Sequence, residues 1–85
     1  MAVRLVYFAW VRERIGKTDE TVDLPGDVRT VADLIAHLKT RGEEYAYAFE
    51  NARVIRVAID QVHVKHEAEI GDAREIAFFP PMTGG

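Results

Sequence analysis

The chain has 85 residues, of which 48% are hydrophobic and 29% are charged, with a formal net charge of −3 and no cysteine. This length allows one small domain, and the lack of cysteine excludes disulfide bonds, thiolate metal sites and a cysteine nucleophile. The acidic balance argues against a nucleic-acid partner, because nucleic-acid-binding proteins present a basic surface.

Two further features bear on location. A small domain that is stabilised without disulfides is typical of the cytoplasm. The apolar stretch near the N-terminus is interrupted by Arg4 and again by Arg12, so it is too short and too charged for a signal peptide or a membrane span. We therefore expect a cytoplasmic protein without a membrane partner.

The first quarter of the chain predicts two strands separated by a short helical turn. Residues 3–10 are rich in β-branched and aromatic side chains, which favours a strand. Residues 11–15 predict one helical turn that stops at Gly16, because glycine readily adopts the left-handed conformation of a helix end. Residues 20–24 alternate polar and apolar side chains and predict the second strand.

One amphipathic helix stands out after that strand. Thr30 is suited to cap its N-terminus, and Asp33 follows at the spacing at which a carboxylate reaches back to the cap. The apolar residues then follow the period of a single buried stripe, namely Val31, Leu34, Ile35 and Leu38. Lys39 and Arg41 suit its last turn and Gly42 the position after it, so we expect Gly42 to stop this helix. We expect a second short helix to cover residues 43–50.

Strand patterns return in the last third of the chain. Residues 54–59 and 62–65 predict two strands joined by a tight turn at 60–61, and residues 75–79 predict the last strand. The diproline at 80–81 ends it, since proline lacks the N–H that a ladder needs. The predicted fold is α+β, with four to five strands in a mixed sheet and one main helix packed across it, which is the β-grasp arrangement of ubiquitin.

Alternation along these strands predicts an uncovered sheet face that carries aromatic side chains. If Leu5 and Tyr7 face the core, neighbours such as Val6 face outward. The same parity turns Val62 inward. The outward side chains include an apolar and aromatic cluster of Val6, Phe8, Ala77 and Phe79, the middle-strand residues Ala58 and His63, and a basic rim of Arg4, Arg56 and Lys65. Such a patch is typical of a protein contact, although surface aromatics also merely stiffen sheets.

The last four residues, Met82, Thr83, Gly84 and Gly85, follow the diproline directly. We expect residues 1–81 to form the domain and residues 82–85 to project as a flexible arm that ends in a free carboxylate beside Phe79. Because Gly84 and Gly85 have no side chains, a narrow channel in another protein could admit them. The alternative is an ordinary frayed terminus.

The closing run of residues 75–85, which ends Phe-Phe-Pro-Pro-Met-Thr-Gly-Gly, resembles the ending of the MoaD family, the small subunits of molybdopterin synthase. The opening run at residues 7–13 is similar to the same family, and the resemblance covers essentially the whole chain. Met82 stands where valine is frequent. His63 stands at an outer-face position where leucine can occur, which would make the patch less apolar.

The resemblance implies a sulfur carrier. A ubiquitin-activating-like partner would use ATP to adenylate the carboxylate of Gly85, and a sulfur donor would then replace AMP to give a C-terminal thiocarboxylate. The large synthase subunit would receive Met82, Thr83 and Gly84 in a channel. Sulfur would pass to cyclic pyranopterin monophosphate, forming the molybdopterin dithiolene. The chain itself would bind no cofactor or metal, and two small and two large subunits would form a heterotetramer.

The family also implies which residues dock. Phe8 and Phe79 would anchor the contact, with Val6 and His63 beside them, and Pro80 and Pro81 would aim the arm. Alternative functions are a related carrier for thiamine or another thiolated product, a modifier joined to lysine, and an interaction module with an inert tail. A His63–His66 metal pair lacks a third ligand, and these histidines are better explained as surface residues.

Overall fold

Within residues 2–81, which the computed structural model describes, five strands form one mixed sheet and three α-helices lie along the connections. The predicted arm at residues 82–85 lies outside the described residues. In chain order the elements are β1 (Ala2–Tyr7), α1 (Ala9–Ile15), β2 (Asp19–Asp23), α2 (Val31–Lys39), α3 (Glu43–Ala48), β3 (Arg56–Ile59), β4 (Val62–Val64) and β5 (Glu75–Phe79). A 3₁₀ turn, Ala52–Val54, precedes β3.

The first and last strands lie side by side at the centre of the sheet, whose order is β2-β1-β5-β3-β4. β1 and β5 run parallel, with Leu5 opposite Ile76 and Tyr7 opposite Phe78. Every other pair of neighbouring strands in this sheet is antiparallel. A mixed sheet packed against a capped main helix is the ubiquitin-like β-grasp architecture, so the predicted fold class is confirmed.

The core lies between the sheet and the helices. The sheet contributes Leu5, Tyr7, Ile76 and Phe78, and the predicted stripe of α2 contributes Val31, Leu34, Ile35 and Leu38, all of them buried. Thr30 caps α2 as predicted: the Asp33 N–H donates to Thr30 Oγ1 at 3.1 Å, and the Thr30 N–H donates to Asp33 Oδ2 at 3.1 Å. These reciprocal bonds satisfy N–H groups that a helix end otherwise leaves without partners.

The predicted first strand is too long, because the chain turns after Tyr7. Ala9 has a φ of 52°, in the left-handed region, and begins α1. Trp10, which the sequence pattern assigns to the strand, therefore lies on a helix, where it is partly buried against the core. The helix ends as predicted at Gly16, whose φ is 85° and whose N–H donates to the Arg12 carbonyl oxygen at 2.8 Å.

The prediction that Gly42 stops the main helix is wrong. The last residue of α2 is Lys39, and Thr40 ends it with a side-chain bond, because the Thr40 hydroxyl donates to the His37 carbonyl oxygen at 2.6 Å. Gly42 instead precedes α3 as its N-cap. A threonine hydroxyl that satisfies a terminal carbonyl makes a glycine unnecessary at this helix end.

The tight turn of the β3–β4 hairpin and the inward direction of Val62 are confirmed, but Val62 is not buried in the core. Asp60 and Gln61 both have positive φ, 47° and 72°, which is typical of a two-residue hairpin turn. Val62 pairs with Ile59 on the side of the sheet that faces the helices, yet it is 63% exposed. β4 is an edge strand, and the helices do not cover its first residue.

A network of polar groups joins β2 to the helix layer. The Glu20 carboxylate accepts hydrogen bonds from the Tyr7 hydroxyl at 2.8 Å and the Tyr45 hydroxyl at 2.6 Å. Lys17 and Arg41 lie 3.3 and 3.4 Å from the same carboxylate, whose side chain is 13% exposed. Burial alone would raise the pKa of Glu20, but the hydrogen bonds from Tyr45, Tyr7 and Lys17 outweigh it and lower that pKa.

We expect Glu20→Gln to lower the free energy of unfolding at pH 7 by about 1–2 kcal/mol, because two ion pairs lose their anion. A carboxylate whose pKa is lowered by folding stabilises the protein above its unfolded pKa, and that stabilisation disappears as the pH falls through the folded pKa. The difference between variant and wild type should therefore shrink below about pH 4. Urea denaturation at pH 7 and at pH 3 measures it.

The exposed Glu13 provides a control for this experiment, since Glu13→Gln removes the same charge from the surface of α1. We expect it to change stability by less than about 0.5 kcal/mol at both pH values. An equal loss for Glu20→Gln at pH 3 and pH 7 would contradict the assignment of this stability to the ionised carboxylate.

Candidate docking face

The sheet face opposite the helices, called the outer face below, is built around a row of small side chains. The register places Ala77 between Val6 and Ala58, and His63 is opposite Ala58 on the edge strand. Val6 points outward as predicted but is only 9% exposed, and Ala58 is 6% exposed. These two side chains therefore offer a partner little exposed area, and the larger side chains around them project further from the sheet.

Three rings form the prominent part of this face. Phe79 lies in the middle, with its ring centroid 6.3 Å from that of Phe8 and 5.2 Å from that of His63. The interplanar angles are 79° and 78°, so both contacts are edge-to-face, an arrangement that aromatic rings favour. We call these three residues the aromatic row. Although His63 stands where the resembled family can have leucine, its ring extends the apolar surface instead of interrupting it.

Backbone bonds on both sides hold Phe8 in this row. Its N–H donates to the Phe78 carbonyl oxygen at 3.0 Å, which continues the ladder between β1 and β5. Its own carbonyl oxygen accepts the N–H of Val11 at 3.1 Å and so begins α1. Phe8 is thus the last extended residue before the helix, and 46% of its surface is exposed. The sequence pattern predicts its outward direction, but the helix that fixes it there begins two residues before the end of the predicted strand.

The predicted basic rim is only partly present. Arg4 lies on the outer face, but its guanidinium is 3.0 Å from the Asp19 carboxylate and 3.1 Å from the Glu75 carboxylate. The hydrogen bond and charge of Asp19, with those of Glu75, raise the pKa of Arg4, so its guanidinium stays protonated. Its positive charge is balanced by these two carboxylates of the same chain. Arg56 and Lys65 remain as the exposed cations of the rim.

The diproline leads from the aromatic row to the C-terminus. Pro80 and Pro81 follow β5 directly, and both are partly buried. The proposed carrier residue Gly85 and the preceding Met82, Thr83 and Gly84 lie outside the described residues. Since the described chain ends two residues after Phe79, the covalent path to Gly85 begins beside the aromatic row.

Two other sequence hypotheses can be examined on the described residues. The Nε2 atom of His66 is not available to a metal ion, because it donates to the Ile55 carbonyl oxygen at 2.8 Å. Residues 2–81 contain no group of three or more histidine, cysteine, aspartate or glutamate side chains placed to hold a metal ion. No helix in the same range has the length and apolar character needed to span a membrane.

Comparison with known proteins relates this geometry to a family. The sequence pattern of the ThiS family matches residues 5–85. The molybdopterin synthase sulfur carrier subunit of Escherichia coli (strain K12) is 36% identical over 83 residues, which cover 98% of this chain and 99% of that protein.

Solved structures agree with the fold. A Pyrococcus furiosus protein described as molybdopterin converting factor subunit 1 matches with a TM-score of 0.74 and 26% identity, covering 96% of this chain and 99% of its own. Small archaeal modifier protein 1 of Haloferax volcanii has the same fold, with a TM-score of 0.71 and 23% identity over 95% of this chain and 98% of its own. The predicted resemblance to the MoaD family is confirmed, and the chain belongs to the ThiS family.

Proposed function

We propose that this chain is the sulfur-carrier subunit of a molybdopterin synthase in molybdenum cofactor biosynthesis, and that it carries sulfur on the carboxyl group of Gly85. The observation that supports this most directly is that the Gly-Gly ending follows in sequence, through the diproline, from Phe79, the central ring of the aromatic row. The Escherichia coli relative, which spans nearly the same length, bears this function in its name.

The chemistry requires activation, because a carboxylate is a poor electrophile. In the proposed first step a carboxylate oxygen of Gly85 attacks the α-phosphorus of ATP and releases diphosphate, giving an acyl-adenylate. A sulfur nucleophile then attacks the acyl carbon, and AMP leaves with the electron pair of the broken C–O bond. When the donor is a persulfide, a thiol then attacks the donor sulfur of the acyl disulfide and forms a disulfide with the donor, and the S–S bond to the acyl sulfur breaks. Sulfur remains on Gly85 as a thiocarboxylate, a soft nucleophile that stays attached to its carrier.

Transfer then consumes the sulfur. The thiocarboxylate sulfur attacks an oxygen-bearing carbon of cyclic pyranopterin monophosphate, and the C–O bond at that carbon breaks, so that the oxygen leaves with the electron pair. Water then hydrolyses the resulting thioester, which leaves the sulfur on the pterin and restores the carboxylate of Gly85. Two such transfers supply the two sulfurs of the dithiolene. The general acids and bases and the ATP-binding groups are assigned in this proposal to partner proteins, so the present chain contributes a reactive terminus and a docking face and binds no cofactor itself.

The partners follow from this division of labour. As the small subunit of a synthase the chain has a large-subunit partner, and we propose a heterotetramer of two small and two large subunits. A ubiquitin-activating-like enzyme would adenylate Gly85, and a separate sulfur donor would supply the sulfur. Thr83 and Gly84 would enter the large subunit's channel with Met82 behind them. A chain without cysteine suits the reducing cytoplasm, where we place the reaction.

We expect intact-mass analysis to show exchange of one oxygen for sulfur at Gly85 after incubation with the activating enzyme, ATP and a sulfur donor. A chain lacking Gly85 should show no exchange and should melt at the wild-type temperature, because residues 2–81 contain the whole described core. Wild-type chain that keeps its mass with a competent activating enzyme would contradict the carrier function and favour an interaction module with an inert tail.

Phe79→Ala should weaken binding to the large subunit by about 10- to 30-fold, because it removes the central ring of the aromatic row. Val62→Ala is a matched control: it trims an apolar side chain that is 63% exposed on the side of the sheet away from that row. The control should bind within about 2-fold of wild type. Isothermal titration calorimetry measures both, and equal affinities for both variants would remove the aromatic row from the interface.

Activation and synthase assembly should exclude each other, because both partners are proposed to cover the aromatic row and the same terminus. Adding excess large subunit to the complex of carrier and activating enzyme should displace the enzyme in size-exclusion chromatography. A stable ternary complex of all three proteins would contradict the shared surface.

A related carrier for thiamine or another thiolated product, or a modifier joined to lysine, would use the same terminus. The Phe-Phe-Pro-Pro-Met-Thr-Gly-Gly ending favours the molybdopterin function over these. The acceptor distinguishes them: sulfur transfer to cyclic pyranopterin monophosphate in the presence of the large subunit supports the first, and isopeptide adducts in cells support the modifier.

A further inference from the structure

A pocket of cationic side chains lies at the open end of the β3–β4 hairpin. It has a volume of about 330 Å³, and its lining includes Arg53, Arg56, Lys65 and His66, with Glu67 as the one carboxylate. We call the first four residues the basic pocket. Arg53 belongs to the 3₁₀ turn and His66 to the loop after β4, so the tertiary fold groups Arg53 with Arg56 and Lys65 and sets the His66 ring beside these three cations.

These cations are not neutralised by the described part of the chain. Among residues 2–81, no carboxylate forms an ion pair with Arg53, Arg56 or Lys65. Elsewhere Arg4 pairs with Asp19 at 3.0 Å, and Arg14 pairs with Glu50 at 3.4 Å. The basic pocket is therefore a local excess of positive charge on a chain whose formal net charge is −3.

Two of these cations lie at the same end of the hairpin. Arg56 is the first residue of β3, and Lys65 directly follows Val64, the last residue of β4. Both line the same pocket, and like charges that are close together repel each other. A local charge arrangement that no contact within the described residues compensates is typical of a functional surface.

The pocket is continuous with the aromatic row. Arg56 is the register partner of Phe79 on the neighbouring strand, and Lys65 lies two residues after His63 on the hairpin. The chain leaves the sheet at the same edge, through Pro80 and Pro81. A protein that covers the aromatic row and takes the terminus therefore also lies over Arg56 and Lys65.

We propose that the basic pocket binds carboxylate side chains of the large subunit. This inference rests on the proposed function, and it adds the chemistry of the partner surface: an apolar site for the aromatic row flanked by aspartate or glutamate opposite the pocket. Charges at the rim of an interface act mainly on association, because their field draws the partners together before the apolar contact forms. The large subunit is the partner concerned because the carrier is a subunit of that complex.

The test compares two double variants that change net charge equally. Arg56→Gln/Lys65→Gln removes the pocket charges, and Arg29→Gln/Lys39→Gln removes two exposed charges that have no ion pair within residues 2–81. At an ionic strength of about 50 mM, stopped-flow association with the purified large subunit should slow about 10-fold for the pocket variant and less than about 2-fold for the control. At about 500 mM all three chains should associate at similar rates.

Thermal melting separates this effect from damage to the fold. The pocket variant should melt at or above the wild-type temperature, because it removes two like charges that line the same pocket. A charge reversal, Arg56→Glu/Lys65→Glu, should make association faster with added salt instead of slower. Association as fast for the pocket variant as for the control at low salt would overturn the inference, and so would a loss confined to adenylation. If wild-type chain fails to bind the large subunit at all, the proposed function itself is contradicted.

Discussion

The parallel pairing of β1 with β5 is the contact on which the docking face depends. Parallel strands finish at the same edge of a sheet, so the residue after β1 and the last residue of β5 meet there. The bond from the Phe8 N–H to the Phe78 carbonyl oxygen, 3.0 Å long, extends this ladder beyond β1. It sets the ring of Phe8 beside that of Phe79. The same pairing places the start of the diproline, which follows Phe79 directly, at this edge of the sheet.

Charged side chains divide into two populations with different consequences. Around Glu20, cations and tyrosine hydroxyls are paired inside the fold, and their energy contributes to stability. Around Arg56 and Lys65 the cations have no described carboxylate partner, and their interaction energy is available to another protein. A carrier that must bind, release and bind again benefits from such charges, because they speed encounter more than they prolong the bound state.

Much of the fold follows from local patterns. The capping box of Thr30 and Asp33, the stripe of α2, the glycine stop at Gly16 and the hairpin turn at residues 60–61 each depend on near neighbours in sequence, and each is found in the structure. The errors share a different origin. The local pattern predicts that Gly42 stops α2, but Thr40 already ends that helix. The strand pattern predicts that Val62 is buried, but the helices do not cover this residue. Whether such a residue is covered depends on elements that are distant in sequence, and local periodicity does not show where those elements lie.

The sequence by itself determined the family and the β-grasp class, because the ending Phe-Phe-Pro-Pro-Met-Thr-Gly-Gly and the alternating strand patterns are carried by consecutive residues. Side-chain parity also determined which residues face outward. Only the tertiary structure decided what those residues do together: His63 joins the aromatic row, Arg4 is neutralised, and Arg53 and His66 complete the basic pocket. The physical reason is that parity specifies a face of the sheet, whereas strand order and register set the distances between side chains across it.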